Sequence, residues 1–200
     1  MVTASKKSKP DPSREELEHI LLPLSTTAQI NDAEARNIDD AVTWALRRKR
    51  KLRTDEILKP EWLKDLHFRM YGNVWEWAGK YRQIETNIGT NRWLIDGEVR
   101  DLINNAKSWL NDGTHGAYSA DEIAVRFSHQ IVKIHPFVNG NGRWSRLLGD
   151  VLVISLGNPA FSWGGGSLQS DGTLRKEYIH ALVVASNDFD YGPLLQFVRS

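Results

Sequence analysis

The sequence contains no cysteine. It therefore offers no disulfide, no thiolate nucleophile and no cysteine-ligated zinc, a composition that fits a reducing cytosol, and we expect a cytoplasmic protein. No apolar run approaches the ~20 residues of a membrane-spanning helix, and the polar N-terminus lacks the hydrophobic core of a signal peptide. The formal net charge is +1, so we expect neither a membrane nor nucleic acid as a partner.

The composition of the rest of the chain is that of a globular protein. Of its 200 residues, 40% are hydrophobic and 26% are charged, an ordinary balance for a soluble domain. Residues 1–15 are polar and lysine-bearing, which predicts a disordered basic arm. Residues 16–200 are long enough to bury a hydrophobic core and are expected to form a single domain.

Apolar residues recur at helical spacing along most of this domain. The predicted helices span residues 31–53, 60–72, 97–111, 119–134 and 142–156, with one more around residues 174–182 and a short one at the C-terminus. Aromatic and β-branched residues around Asn87-Ile88-Gly89 predict instead a small β-hairpin at residues 84–95. The expected fold class is therefore mainly α, a helical bundle with one small β-hairpin.

Three helix starts carry their own signals. Asn31 or Asp32 can cap the first helix, and Pro60 suits the first turn of the second. Ser119 with Glu122 forms a capping box.

The predicted first helix ends in a basic run, RRKRKLR at residues 47–53. We interpret it as a solvated helix end, where the helix dipole favours cations. The alternative is a contact with an acidic partner or with nucleic acid, and a DNA-associated role for the chain would depend on this run alone.

A histidine begins the segment HPFVNGNGRWSR. Because Pro136 cannot continue the preceding helix, His135 lies at a helix C-terminus, and Phe137 can anchor the loop that follows. A histidine titrates near neutral pH and can serve as a general base. Here it could take the proton from a hydroxyl whose oxygen attacks phosphorus.

The second half of the segment has the features of an anion site. Gly140 and Gly142 let backbone N–H groups approach a ligand closely, and the next helix begins there with N–H groups that lack acceptors. Arg143 and Arg146 are three residues apart, so both guanidiniums can lean to one side. Taken separately, such a histidine is usually structural and a Gly-x-Gly is usually a turn, but together they predict a site for a pyrophosphate.

The same segment resembles the Fic motif, His-x-Phe-x-Asp/Glu-Gly-Asn-Gly-Arg-x-x-Arg, at every defining position except the acidic one. The upstream segment LHFRMYGNVWEWAGKYR also resembles the part of Fic domains that precedes their flap hairpin. The resemblance covers about residues 35–200, which leaves the preceding residues as an N-terminal helical extension. The segment STTAQINDAEARN is similar to the Fic-like group called mobile mystery protein B.

This resemblance implies a Fic/Doc helical fold and the transfer of AMP from ATP to a hydroxyl side chain of a target protein. Carried over by position, His135 would be the general base, with Asn141 and Arg143 completing the catalytic set. The flap would dock the target through strand-like main-chain bonds. The resemblance implies a nucleotide-binding loop made of Phe137, Gly140, Asn141, Gly142, Arg143 and Arg146, and a docking flap made of Thr86, Asn87, Ile88 and Gly89.

Asn139 departs from the family pattern, which places a carboxylate there to hold Mg²⁺. Mg²⁺ prefers anionic oxygen ligands, so Asn139 predicts weak metal binding. It also leaves other readings open, because a fold does not determine its donor substrate. The chain can be an adenylyltransferase, a transferase with another phosphate-linked donor, or a nucleotide-binding or partner-binding module without catalysis.

In the family, an inhibitory glutamate within Ser/Thr-x-x-x-Glu-Gly/Asn often pairs with the second motif arginine. Asp171 has the right spacing from Ser167 but is an aspartate. Glu34 lacks the flanking residues, and we interpret it as a solvated helix residue while keeping it as the candidate inhibitory residue. Control by a separate regulatory protein is the alternative. No HExxH pattern is present, which argues against an ordinary metallohydrolase.

Overall fold

The computed structural model of the chain describes residues 17–46, 53–111, 118–166, 168 and 172–200. The predicted mainly α fold is confirmed over these ranges. The helices are α1 Thr27–Leu46, α2 Thr54–Ile57, α3 Pro60–Tyr71, α4 Ile95–Asn111, α5 Ala120–Ile134, α6 Asn141–Ser155, a 3-10 turn Trp163–Gly165, α7 Thr173–Asn187 and α8 Gly192–Val198.

The basic arm predicted at residues 1–15 and residues 47–52 of the basic run lie outside these ranges. Among the helices that the described ranges contain, none combines the length and apolar character needed to cross a bilayer.

Side-chain caps explain where two of the helices begin. The predicted capping box is formed at α5, where Ser119 Oγ accepts a hydrogen bond from the Glu122 N–H at 3.2 Å. Helix α1 starts earlier than predicted because Thr26 and Gln29 form a reciprocal box of their own. The Gln29 N–H donates to Thr26 Oγ1 at 3.3 Å, and the Thr26 N–H donates to Gln29 Oε1 at 3.2 Å. This Thr-x-x-Gln signal was readable in the sequence and was missed.

Helices α5 and α6 form the central pair of the fold. Helix α1 packs on α3 and reaches α6, while α4 covers the other side of α5. The predicted buried face of α5 is confirmed, since Phe127 and Ile131 are fully buried. Trp144 joins α6 to α3 by donating its indole N–H to the Leu63 carbonyl at 3.1 Å. This packing brings the start of α6 against both α1 and α3.

The predicted hairpin at residues 84–95 is wrong. Residues 82–94, which we call the flap segment, consist of turns and bends up to the start of α4 at residue 95, and the described residues contain no β-strand. The physical reason is that main-chain groups of this segment bond to other partners than a second strand. The Thr90 N–H donates to the Ile134 carbonyl at 3.1 Å, and the Ile84 carbonyl accepts from the Arg82 guanidinium at 2.9 Å.

Candidate functional site

His135 caps the C-terminus of α5 in the left-handed conformation, with φ 56° and ψ 58°. Its N–H still donates to the Ile131 carbonyl, at 3.3 Å, and Pro136 then turns the chain away. The His135 side chain is half-buried. Burial, and after it the positive charge of Arg82, lowers the pKa of His135 below its ordinary value of 6.5. The imidazole is therefore neutral at pH 7 and available as a base.

Phe137 anchors residues 135–140, which we call the motif loop. Its side chain is fully buried and stacks on His67 with 3.6 Å between ring centroids. The predicted anchor is thus confirmed, whereas a ring contact between Phe137 and a nucleotide is not available, because the ring has no exposed surface.

His67, on α3, is a site residue that the sequence reasoning missed. Its Nδ1 accepts from the Gly79 N–H at 3.0 Å, and its Nε2 lies 3.1 Å from the Asn139 carbonyl oxygen. Since Nδ1 is an acceptor, the neutral Nε2-protonated tautomer satisfies both bonds. Burial lowers the pKa of His67 to about 3, so it stays neutral and acts as a strut beneath the loop.

Asn141, the first residue of α6, braces the motif loop from inside. Its Oδ1 accepts from the Phe137 N–H at 3.0 Å, and its Nδ2 donates to the Phe137 carbonyl at 2.8 Å. The residue is only 2% exposed. Both polar atoms of the Asn141 amide are therefore engaged by the Phe137 backbone, and the side chain steadies the loop.

Gly140 allows α3 to approach the start of α6. Its φ is +79°, and a Cβ there would lie 2.5 Å from the Tyr71 ring, so no other residue fits without displacing Tyr71. Beyond it, the N–H groups of Asn141, Gly142 and Arg143 have no acceptor among the residues that the structure describes. These donors lie at the N-terminus of a 15-residue helix, the place where the sequence predicts an anion site.

The two motif arginines border this helix start. Arg146 has Nη1 within 3.7 Å of the position that a Gly142 Cβ would occupy, and its guanidinium lies over the Tyr178 ring at 5.6 Å. Arg143 points towards α1, with its guanidinium 5.1 Å from the centroid of the Tyr71 ring.

Glu34 is not a solvated helix residue, and that interpretation is wrong. It is 5% exposed, and its Oε2 lies 2.7 Å from Arg143 Nη2 while its Oε1 accepts from the Trp75 indole N–H, also at 2.7 Å. The carboxylate is paired with the first motif arginine, not the second. The other candidate, Asp171, lies outside the described residues. Glu34 shares one face of α1 with Ile30, Asn37 and Ala41, which follow one another at spacings of four, three and four residues, and this helical spacing was the available signal.

Asn139 does not fit a magnesium site. Its side chain is exposed, and its Oδ1 already accepts from the Gly140 N–H at 2.7 Å. No cluster of three potential metal-ligating side chains occurs in the part of the chain that is described. One neutral oxygen turned towards its own loop is a poor donor set for a cation that prefers carboxylates.

The flap segment lies directly against the motif loop. A Cβ at Gly89 would sit 2.6 Å from the Cβ of His135. Asn87 and Ile88 are exposed, and Thr86 turns its hydroxyl inward to donate to the Ile88 carbonyl at 2.6 Å. From Gly89 a groove of about 700 Å³ runs between α4 and α5. The structure thus brings Gly89, one of the predicted docking residues, next to the predicted base.

Comparisons with known proteins agree with this geometry. Residues 57–153 match the model of the Fic/DOC family. The chain is 30% identical over 135 residues to a protein adenylyltransferase Fic of Aedes aegypti, a match that covers 67% of this chain but only 26% of that protein. It therefore spans about a quarter of the length of that relative.

Solved structures share the fold. The N-terminal FIC domain of the Bep8 effector from Bartonella sp. 1-1C aligns with a TM-score of 0.68 at 15% identity, over 91% of this chain and 90% of that one. A Fic domain of a VirB-translocated effector from Bartonella quintana, solved with bound ADP, aligns with a TM-score of 0.64 at 15% identity, over 90% and 87% of the two chains. Residues 57–153 are thus similar to the Fic/DOC family, and the chain shares the fold of solved Fic domains.

Proposed function

We propose that this protein transfers AMP from ATP to a hydroxyl side chain of a target protein. The observation that carries the proposal is the continuous arrangement from His135 to Arg146, in which a neutral histidine precedes a helix start with free N–H donors and two arginines. The similar protein of Aedes aegypti is named an adenylyltransferase, and a domain with the same fold binds ADP.

In the proposed reaction the hydroxyl oxygen of the target attacks the α-phosphorus of ATP. His135 accepts the proton of that hydroxyl, the bond from the α-phosphorus to the bridging oxygen breaks, and pyrophosphate leaves. The N–H groups at the start of α6 stabilise the charge that develops on the phosphate oxygens. Arg146 holds the outer phosphates.

The target would dock on the flap segment. Because no strand is formed there, we infer docking through the exposed side chains of Asn87 and Ile88 and through the adjoining groove, and not through strand addition. Gly89 brings this surface to the side of His135, which is where the attacking hydroxyl must lie.

Glu34 would hold the site in an inhibited state. Its carboxylate neutralises Arg143, so a nucleotide phosphate has to compete with it for the guanidinium. Moving α1, by a regulatory partner or by local unfolding, would release Arg143. Glu34→Gln keeps an oxygen for the Trp75 indole but removes the charge.

We expect Glu34→Gln to raise both ATP affinity and transfer while lowering the free energy of unfolding by about 1–3 kcal/mol, because Arg143 loses a buried charged partner. Asp39→Asn, an exposed change on the same helix, is the matched control. Calorimetric titration with ATP and thermal melts measure the two effects. An unchanged ATP affinity would remove Glu34 from an inhibitory role.

Two observations favour a second candidate, a nucleotide-binding module without transfer or with another phosphate-linked donor. Asn139 supplies no anionic ligand for a metal, and Arg143 is already occupied. A binding module would keep the anion site but would have no use for a neutral histidine beside it.

Transfer of label from α-labelled nucleotides into lysate protein separates these candidates. ATP, the other nucleoside triphosphates and a nucleoside diphosphate-linked donor are each incubated with wild type, His135→Ala and His180→Ala. His180 is an exposed histidine on α7 and is the matched control. Label from ATP with wild type and His180→Ala, but not with His135→Ala, supports the proposal. Label from another donor identifies that donor, and nucleotide binding without label identifies a module.

A further inference from the structure

Arg82 is a charged residue that the proposed reaction does not use, yet it is only 1% exposed. A buried guanidinium is costly unless its donors are satisfied. Arg82 donates to three backbone carbonyls. Nε bonds to His135 at 2.8 Å, Nη1 bonds to Ile84 at 2.9 Å, and Nη2 makes a short bond to Thr90.

These three carbonyls belong to three different places in the chain. One is that of His135 itself, and the other two lie near the beginning and the end of the flap segment. Main-chain bonds complete the attachment, since the Arg82 N–H donates to the Pro136 carbonyl at 2.9 Å and the Thr90 N–H donates to Ile134 at 3.1 Å. One side chain thus connects both arms of the flap segment to the helix end that bears the histidine.

The flap backbone lies tightly against this connection at Gly89. A Cβ at Gly89 would lie 2.6 Å from the Cβ of His135 and 3.0 Å from Arg82 Nη2. A shift of the guanidinium therefore moves either the flap backbone or the histidine.

We propose that Arg82 is the positioning residue of the transfer site, which sets His135 and the target-docking flap in register with each other. The transfer reaction in this inference rests on the proposed function, whereas the geometry of the connection does not depend on it. Arginine is needed because its planar fork directs donors to three acceptors at once, whereas a lysine ammonium is a single point of charge.

The location also suits a positive charge. Arg82 lies at the C-terminal end of α5, the negative pole of that helix. Arg82 is the charged group that faces His135 from the flap segment, and Glu85 approaches Arg82 Nη1 at 3.6 Å from the solvent side. Lys133, on α5 itself, is exposed. The charge of Arg82 acts with burial to lower the pKa of His135.

Two substitutions separate the effect of the positive charge of Arg82 from the effect of its three guanidinium hydrogen bonds. Arg82→Lys keeps the charge but cannot bond all three carbonyls, and Arg82→Gln loses both. Arg100→Lys is the control, because Arg100 is an exposed arginine with one ion pair, to Asp96 at 2.8 Å. The assay is the initial rate of label transfer from α-labelled ATP into lysate protein, measured together with ATP affinity.

For Arg82→Lys we expect the transfer rate to fall about 10²-fold, as expected when a base is displaced by about 1 Å, while ATP affinity is little changed. For Arg82→Gln we expect the acidic limb of the pH–rate profile to move up towards 6.5 as well. A purely structural residue would lower rate and ATP affinity together in proportion to the folded fraction. That result, or Arg82→Lys with the wild-type rate, would overturn the inference.

Nuclear magnetic resonance tests the connection without any transfer. In wild type we expect the Arg82 Nε–H to be protected from exchange relative to Arg100, and this holds as a test even where a variant fails to fold. In Arg82→Gln we expect faster exchange of the Thr90 amide and a raised pKa of His135, with His129 as an unaffected reference. An unprotected Arg82 Nε–H contradicts the inference. If the Arg82 Nε–H is protected but wild type transfers no label, the proposed function is contradicted, whereas the positioning role of Arg82 is not.

Discussion

The motif loop and the flap segment are both irregular, and they lie against each other, yet they are held in opposite ways. The motif loop is bonded mainly to itself and to the core, through the Asn141 bridge to Phe137 and the burial of the Phe137 ring. The flap segment buries little of itself. Ile84 and Ile88 are 56% and 63% exposed, and the segment keeps its shape through the guanidinium of Arg82.

This difference explains why sequence reasoning succeeded on one segment and failed on the other. The Asn141 bridge that steadies the motif loop joins residues only four positions apart, so the sequence of the motif indicates it, although His67 supports the loop from α3. The flap segment has the apolar and β-branched residues that are typical of a hairpin. Its main-chain groups, however, are bonded to the buried side chain of Arg82 and to the end of α5. A strand ladder forms only where backbone groups face each other, which spacing alone does not show.

The sharpest way to break this comparison is to truncate an apolar side chain in each segment. Phe137→Ala removes a fully buried ring and should lower the free energy of unfolding by about 3–5 kcal/mol. Ile88→Ala, in the exposed flap, should change it by less than about 0.5 kcal/mol. Denaturant unfolding measures both. Similar losses for the two variants would show that the flap segment is also anchored by its side chains.

One arginine on α6, next to the motif loop, and one arginine in the flap segment sharpen the comparison for ligand binding. Arg146→Ala should weaken binding of ATP by about 1.5–3 kcal/mol, the contribution of a charge-assisted bond, and should weaken binding of AMP less. Arg92→Ala, in the flap segment, should leave both affinities unchanged. Calorimetric titrations with ATP and with AMP measure these affinities. If Arg146→Ala lost equal affinity for the two nucleotides, the Arg146 guanidinium would not bind the outer phosphates.

The support beneath the motif loop should make stability depend on pH. The pKa of His67 is lowered to about 3 in the folded protein, while the unfolded chain takes up that proton near 6.5. Stability is therefore complete above pH 6.5 and falls as pH decreases from 6.5 to 3, by at most about 1.4 kcal/mol per pH unit from this group. The slope should decrease in His67→Gln. An unchanged slope between pH 6 and 4 would assign the effect to other groups.

The smallest expected effect concerns one amide in each segment. Asn139→Asp places a carboxylate where the family has one, and we expect a several-fold gain in Mg²⁺-dependent ATP binding and in transfer at millimolar-scale Mg²⁺. Asn91→Asp, the same change in the flap segment, should have no such effect. Nucleotide titrations with and without Mg²⁺ measure it. Equal behaviour of the two variants would show that the missing carboxylate does not limit this site.

Much of the fold was readable from sequence because helices are local. The starts of α3 at Pro60 and of α5 after Ser119 follow from capping chemistry within a few residues. The start of α6 was readable for the same reason, since the glycine-containing loop is followed at once by a helix whose first N–H groups lack acceptors among the described residues.

Long-range partners were not readable. His67, Trp75 and Arg82 lie in the upstream segment that resembles Fic domains, but the resemblance gave them no role, because each acts through a contact with a residue far along the chain. Glu34 was misjudged because its partner, Arg143, is 109 residues away. A glutamate on a polar helix is normally solvated, and only burial with a partner changes that expectation.

By itself the sequence determined the order of the helices and the chemistry of the motif loop, because helix capping and the constraints of proline and glycine act between neighbours. The tertiary structure decided which of these groups are buried and which charged partners they have. Packing of α1 and α3 on α6 places Glu34 on Arg143 and His67 under the loop, and the fold of the flap segment places Arg82 on His135. Charge pairing and burial depend on distance in space, and that distance is settled only when the helices are packed.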